Sequence, residues 1–410
     1  MQRVVVTGMG GVTAFGENWP AVAARIKQGQ NAVRKMPEWQ IYEGLHTLLG
    51  APVDNFELPA HYTRKRIRSM GRVSLMATRA TELALEQAGL IDHPVLTSGE
   101  TGIAYGSSTG STGPVSEFAT MLTEKHTNNI TGTTYVQMMP HTTAVNAGLF
   151  FGLRGRVIPT SSACTSGSQA IGYAWEAIRH GYQTVMVAGG AEELCPSEAA
   201  VFDTLFATSQ RNDAPHSSPS PFDQQRDGLV IGEGAGTLIL ESLEHAQARG
   251  ATIYAELVGF HTNCDAAHIT QPQRETMQIC IERALKMAGV APEQIGYINA
   301  HGTATDRGDI AESQATAAIF GNNTPISSLK SYFGHTLGAC GALEAWMSIE
   351  MMREGWFAPT LNLTQPAAEC GDLDYIIGES RPIDTDYIQS NNFAFGGINT
   401  SLVFKRWRDA

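Results

Sequence analysis

Hydrophobic positions along this chain fall into two periods. Short β-branched runs, "RVVVTG" (3–8), "TGIAYGSS" (101–108), "TVMVAGGA" (184–191) and "GTLILES" (236–242), are bounded by glycine or small polar residues and predict buried strands. Between them lie helical patterns, as in "SLMATRATELALEQAGL" (74–90), where Gly89 is placed as the stop. Strands alternating with helices predict α/β layers.

The pattern also repeats. "TELALEQAGL" (81–90) and "IERALKMAGV" (281–290) share Glu, Ala, Leu, Ala and Gly at matching places, and each leads to a strand ending in a small polar loop, "GIAYGSSTG" and "GYINAHGTAT". Ala, Leu and Glu are common helix formers, so this echo alone decides little. A second parallel strengthens it: "ACTSGSQAIGYAWEAIRHG" (163–181) and "GHTLGACGALEAWMSIEMMREG" (334–355) both run from a small-residue loop into a helix ended by glycine. Together they predict a duplicated chain. The changeover falls in "EHAQARGATIYAELVGF" (244–260), where a helix ends at Gly250, which gives halves 1–250 and 251–410. No disordered linker separates them, only a Ser/Pro-rich loop, "RNDAPHSSPSPFD" (211–223).

Composition narrows the function. With 410 residues, 42% of them hydrophobic, the chain can bury a core sufficient for two domains or one duplicated unit. A net charge of −12 argues against a broad nucleic-acid or anionic-membrane surface, so any basic patch must be local. No apolar run approaches the roughly 18 residues of a membrane span, and the opening "MQRVVVTGMGG" breaks too soon for a signal segment. The expectation is a cytoplasmic protein. Six cysteines (164, 195, 264, 280, 340, 370) without a CxxC pair fit neither a zinc site nor a disulfide scaffold.

Candidate chemistry centres on Cys164 in "SSACTSGSQAIG" (161–172). One reading is a small buried hydrophobe. The other is a nucleophile whose pKa the helix N-terminus lowers, with Ser162, Ala163, Thr165, Ser166 and Gly167 leaving room for an acyl group. His301 in "NAHGTAT" and His335 in "GHTLGACGA" sit at strand-to-helix junctions, where α/β sites assemble. Each alone reads equally as a core or surface histidine. Cysteine with two such histidines suits covalent acyl transfer, a thiolate attacking while imidazoles donate to developing negative charge. "GMGGVTAFG" and "GEGAG" complete no phosphate-binding motif, and tight turns or close packing explain their glycines. The run "TRKRIRSMGR" (63–72), with Arg64, Lys65, Arg66 and Arg68, reads as a solvated helix face or as a local docking surface for an acidic partner.

Five segments carry a resemblance: "SSACTSGSQAIG", "PFDQQRDGLVIGEGAG" (221–236), "YINAHGTATDRGD" (297–309), "SLKSYFGHTLGACGALE" (328–344) and "NNFAFGGIN" (391–399). In order and in residues they resemble the motifs of the β-ketoacyl-acyl carrier protein synthases, the elongating condensing enzymes of types I and II, over nearly the whole chain. The resemblance implies a thiolase-like fold, a duplicated five-layer αβαβα arrangement, usually a homodimer with sites near the interface. It implies that Cys164 takes an acyl chain from acyl carrier protein, and that His301 and His335 assist decarboxylation of malonyl-carrier protein and hold the enolate that attacks the acyl thioester. No metal or organic cofactor is implied, since phosphopantetheine arrives on the carrier protein.

Further roles follow from the same resemblance. Lys330 and Glu344 match a pair that tunes the field around the histidines, or serves only as a structural ion pair. The N–H groups of Cys164 and Phe395 match an oxyanion hole, and Phe393 and Phe395 an acyl-pocket gate. Thr303 and Thr305 match hydroxyls that bind the pantetheine arm, with His268 and Thr270 at the same entrance, and Arg64, Lys65, Arg66 and Arg68 match the carrier-protein patch. Three departures stand out: Asp306 where proline is common, Ala394 in place of a glycine, and Thr109 in place of a larger apolar residue near the acyl pocket. The last implies an unsaturated or aryl-polyene-type acyl chain, in fatty acid or polyketide biosynthesis. The resemblance also allows a heterodimer in which this chain is the active half beside a chain-length-factor-like subunit, and the competing readings are a non-catalytic chain-length-factor subunit and a thiolase. The presence of Cys164, His301 and His335 speaks against the first. The absence of cysteine from "NNFAFGGIN" speaks against the second.

Overall fold

The computed structural model describes residues 1–408. Eleven strands form its main sheet: β1 (Val4–Val12), β2 (Thr101–Gly106), β3 (Val157–Thr160), β4 (Val185–Glu192), β5 (Gly234–Ser242), β6 (Ala255–Cys264), β7 (Ile295–Asn299), β8 (Pro325–Ser327), β9 (Asp374–Tyr375), β10 (Tyr387–Ala394) and β11 (Ile398–Arg406). Outward from the middle the order is β1, β5, β4, β2, β3 on one side and β6, β11, β10, β7, β8 on the other, with β9 added at that edge. Parallel and antiparallel neighbours match position for position in the two runs. They meet where Val5 and Val6 pair with Glu256 and Ala255.

Six helices complete the layers: α1 (Arg72–Ala88), α2 (Thr142–Phe151), α3 (Ser166–Arg179), α4 (Arg274–Ala288), α5 (Asp306–Phe320) and α6 (Cys340–Glu354). The strands explain the arrangement, because their alternate residues enter different cores. On β4, Met186 and Ala188 face α3 and α6, while Val185 and Val187 face α1. Both faces are covered, so the strands read as continuous apolar runs. Helices α3 and α6 lie between the two strand runs. Helices α1 and α2 cover one outer face and α4 and α5 the other, giving five layers.

The repeated sequence has a physical cause. Gly8 on β1 lies so close to α1 that a Cβ there would meet the carbonyl of Ala84 and the methyl of Ala88; Gly259 on β6 has the same relation to Ala284 and Ala288 of α4. These alanines are among the echoed positions. Gly89 and Gly289 end the two helices in left-handed conformation, at φ 66° and 67°. The second echo is matched too: the turns Ala163–Thr165 and Leu337–Ala339 precede α3 and α6, and each opens with a left-handed residue, Ala163 at φ 50° and Leu337 at φ 44°.

Two expectations change. Strand β1 runs on to Val12 instead of ending at Gly8, because "GMGG" is a strand passing under a helix rather than a turn. The small residues around Cys164 pack and lock the helix start rather than simply leaving open space. Gly167 lies against Ala342 and the carbonyl of Gly338, and Gly341 against Ser168, so that the starts of α3 and α6 touch. The Thr165 and Ser166 hydroxyls donate to the carbonyls of Ser162 and Ala163, at 2.7 Å each, and lock the turn. Among the described residues no helix is long and apolar enough to cross a membrane.

Candidate active site

Three junctions converge. Cys164 sits in the turn before α3, His335 precedes the turn before α6, and His301 follows the end of β7. His335 is pinned through its backbone, donating to Val230 O at 2.6 Å and accepting from Gly232 N at 2.9 Å. Its Nε2 lies 2.9 Å from Cys164 Sγ. The His301 and His335 rings stand edge to face with centroids 5.2 Å apart. The three side chains border a cavity of about 520 Å³ that opens to solvent past exposed Phe206, Ile269 and Arg307.

Hydrogen bonds fix the proton positions. Nδ1 of His335 accepts the Leu337 N–H at 3.2 Å, so the proton of the neutral ring is on Nε2, facing the sulfur. The Asn392 amide, oriented by donating to Glu344 Oε2 at 2.8 Å, lies 3.5 Å from Nδ1 of His301 and likewise leaves Nε2 as that ring's donor. Burial, then the Lys330 ammonium, holds both histidines well below their ordinary value. They stay neutral at pH 7. The sulfur and ring nitrogens lie within 4.8 Å of one another, a donor set of zinc-ligand type. The Leu337 bond instead makes His335 Nε2 a hydrogen-bond donor rather than a ligand.

The thiol departs from expectation. Cys164 is 4% exposed, and burial pushes it up to about 12, against Lys330 and the N–H groups of Phe395 and Cys164. Lys330 and these backbone donors together lower the thiol pKa less than burial raises it. Those two N–H groups nevertheless reach the sulfur, so an acyl oxygen on it would meet the same donors.

Behind the histidines lies a polar network. Lys330 Nζ donates to Glu344 Oε1 at 2.5 Å, and Glu344 Oε2 also accepts from Asn299 at 3.3 Å. Burial disfavours the ammonium, but the groups around it, Cys340 and Glu344 first, hold its pKa above the ordinary value. Glu312 accepts the N–H groups of His301 and Gly302 at 2.6 and 2.7 Å, and Asp309 those of Thr303 and Ala304 at 3.0 and 3.2 Å. Fully buried Glu192 accepts from Ser107 Oγ (2.8 Å), Ser108 N (2.7 Å) and Oγ, Thr109 N (3.2 Å) and Gly338 N (3.0 Å), tying a loop of the first half to the turn before α6. None of Glu192, Asn299, Asp309, Glu312 or Asn392 was singled out from sequence. For two of them a signal existed: Asp309, Glu312, Ser313 and Thr316 put polar groups at the i, i+3, i+4, i+7 spacing where a buried helix face is normally apolar.

Most of the expected residues gather here. Thr303, Thr305, His268, Thr270, Phe393 and Phe395 border the cavity with Cys164. The Thr303 and Thr305 hydroxyls are 2.8 Å apart, and Phe395 packs on Phe202 with ring centroids 5.0 Å apart. Lys330 and Glu344 lie behind it. Thr109 does not join them: it is exposed, outside this cavity, with its N–H turned to Glu192. Ala394 ends β10 in extended backbone, and the left-handed turns fall on Gly396 and Gly397 instead. Arg64, Lys65, Arg66 and Arg68 are exposed around a short helix, Arg64–Ile67. Arg66 donates to Phe150 O at 2.9 Å and covers its ring at 3.7 Å.

Known proteins share this arrangement. The β-ketoacyl synthase N-terminal domain model matches residues 1–246 and the C-terminal domain model residues 254–364. A 3-oxoacyl-[acyl-carrier-protein] synthase 2 of Synechocystis sp. is 36% identical, covering 99% of both chains. A crystal structure of a β-ketoacyl synthase from Burkholderia phymatum STM815 is 61% identical and superposes with a TM-score of 0.98 over 100% of both chains. A type II polyketide ketosynthase, in complex with its acyl-carrier protein and bound to the hexaketide, is 31% identical with a TM-score of 0.87, covering 99% of this chain and 100% of that one. With Cys164, His301 and His335 meeting in a duplicated layered fold, this chain belongs to the β-ketoacyl synthase family.

Proposed function

We propose that this protein is a β-ketoacyl-acyl carrier protein synthase that condenses an acyl group held on Cys164 with a malonyl unit, both delivered by acyl carrier protein. The observation that carries the reading is the 2.9 Å approach of His335 Nε2 to Cys164 Sγ beside the His301 ring, at the base of a solvent-open cavity.

The chemistry follows from the proton positions. Cys164 sulfur attacks the acyl thioester; the bond to pantetheine sulfur breaks, and the Cys164 proton leaves with that sulfur as a thiol. The N–H groups of Cys164 and Phe395 hold the oxyanion. The malonyl thioester then enters, its bond to the carboxylate breaks as carbon dioxide leaves, and the electron pair becomes an enolate. Neutral Nε2–H groups on His301 and His335 stabilise that enolate oxygen without an acidic proton that would quench the carbon. The carbon attacks acyl-Cys164, the thiolate leaves, and a β-ketoacyl carrier protein two carbons longer results. Residues 1–250 supply the nucleophile and residues 251–410 the imidazoles. Lys330, held by its ion pair with Glu344, helps keep the histidines neutral; Thr303, Thr305, His268 and Thr270 line the pantetheine entrance, and Phe393 and Phe395 gate the acyl pocket.

Assembly and location belong to the same reading. The protein acts in the cytoplasm, as a homodimer formed along the edge strand β3, where Val157 is exposed beside exposed Leu149 of α2. Arg64, Lys65 and Arg68 form the carrier-protein patch. An active site complete in this chain favours the enzyme over a non-catalytic partner subunit.

Intact-mass analysis tests the reading. Acyl-carrier protein should add one acyl mass to the protein, malonyl-carrier protein should discharge it, and Cys164→Ala should show no adduct. An adduct that persists in Cys164→Ala would refute it.

A further inference from the structure

Phe206 is 85% exposed and lies in the left-handed region at φ 56°. Both features cost free energy, since a bulky side chain rarely adopts that backbone and a phenyl ring in water forgoes burial. The turn that imposes them is firmly held. It follows the helix Pro196–Asp203, with the Phe206 N–H donating to Asp203 O at 2.9 Å, Ala207 N to Phe202 O at 3.0 Å, and Leu229 N to Ala207 O at 2.8 Å. Asp203 is itself fixed by the N–H groups of His46 and Thr47. A rigid turn thus holds a phenylalanine out in solvent.

Its location gives the reason. Phe206 borders the same cavity as Cys164, together with Leu205, 44% exposed, and Ile269, 67% exposed. Arg307 is exposed on that rim and, among the described residues, has no ion-pair partner, whereas the neighbouring Asp306 is paired with Arg226 at 2.9 Å. Whatever feeds a tethered thioester to Cys164 must rest its own surface on this rim. We propose that Phe206, flanked by Leu205 and Ile269, is the apolar anchor on which acyl carrier protein seats, with Arg307 facing its acidic surface. This rests on the condensing function proposed above and adds to it a specific contact. An apolar anchor beside one unpaired cation suits an acidic, amphipathic helix.

The experiment compares two donors of the same acyl group, acyl-carrier protein and its N-acetylcysteamine thioester, in wild type, Phe206→Gly and Phe206→Ser. Loss of an exposed aromatic anchor should lower kcat/KM for the carrier protein about tenfold, carried mainly by KM, and lower that for the small thioester by a much smaller factor. The effect should persist at high ionic strength, because it is not electrostatic. Phe206→Gly should also raise Tm, since glycine relieves the left-handed position. Equal losses with both donors would overturn the proposal, showing that Phe206 only shapes the cavity. So would an unchanged KM, or a loss that tracks dissociation of a dimer in sedimentation velocity. A wild-type protein that accepts acyl groups from neither donor would instead overturn the functional reading itself.

Discussion

In the free protein Cys164 shares its pocket with two neutral imidazoles and a buried ammonium, and these neighbours govern how readily the sulfur reacts. With the thiol pushed up to about 12 by burial, the thiolate fraction rises about tenfold per pH unit through the neutral range. Alkylation of Cys164 by iodoacetamide should therefore accelerate steadily from pH 6 to pH 9; a plateau near neutrality would show an ordinary low-pKa catalytic thiol. Lys330→Met should slow it further, because Lys330 is the largest influence favouring the thiolate. The nucleophile and both histidines were legible in the sequence because one cysteine and two histidines each stand in a run of glycine and small residues at a predicted junction, and those runs follow the order of a family's motifs. Most of their supports were not. Glu192 ends an apolar strand and Asn392 lies 91 residues from His301, so only the folded chain shows that they meet one site, whereas Glu312, 11 residues from His301, left a trace in the polar spacing of its helix.

Packing of a helix directly on a strand fixes the two halves, and it depends on glycine facing alanine. Gly259→Ala would place a Cβ 2.5 Å from Ala284 O and 2.9 Å from the Ala288 methyl, so it should cost about 1–3 kcal/mol, read as a lowered urea midpoint at unchanged slope. An unchanged midpoint would mean that α4 is free to move away. The same contact explains what the sequence pattern disclosed and what it hid. Ala84 and Ala88 recur as Ala284 and Ala288, so the duplication was visible in the helices. The partner glycines were ambiguous, because Gly8, Gly10 and Gly11 fit a turn as well as close packing until a helix is seen to lie on them. The short strands β8 and β9 carry too few residues for any period to register.

Charge acts at the scale of the whole molecule. With a net −12, the surface repels an acidic partner at long range, and under the proposed function the local cations around the helix Arg64–Ile67 offset this for the carrier protein. Arg64, Lys65 and Arg68 are the informative positions, because Arg66 is engaged with Phe150 and its removal also disturbs packing. Reversing the three to glutamate should raise KM for acyl-carrier protein several-fold at low salt and progressively less as ionic strength rises. An effect independent of salt would place the docking charge elsewhere. Overall architecture was the most legible level, since alternating strands and helices with two echoes leave few ways to build a duplicated layered chain. Register and layer order came only with the structure.

In the proposed reaction, imidazoles kept neutral by burial and Lys330 carry the condensation on Cys164. Pre-acylated protein mixed with malonyl-carrier protein in a single turnover isolates that step from thiol ionisation. Because both histidines are held well below 6.5, they remain unprotonated as pH falls through that value. Discharge of acyl-Cys164 should then stay flat from pH 8 to about pH 5.5. A rate that halves near pH 6.5 would show ordinary, solvent-titrating histidines and contradict the account.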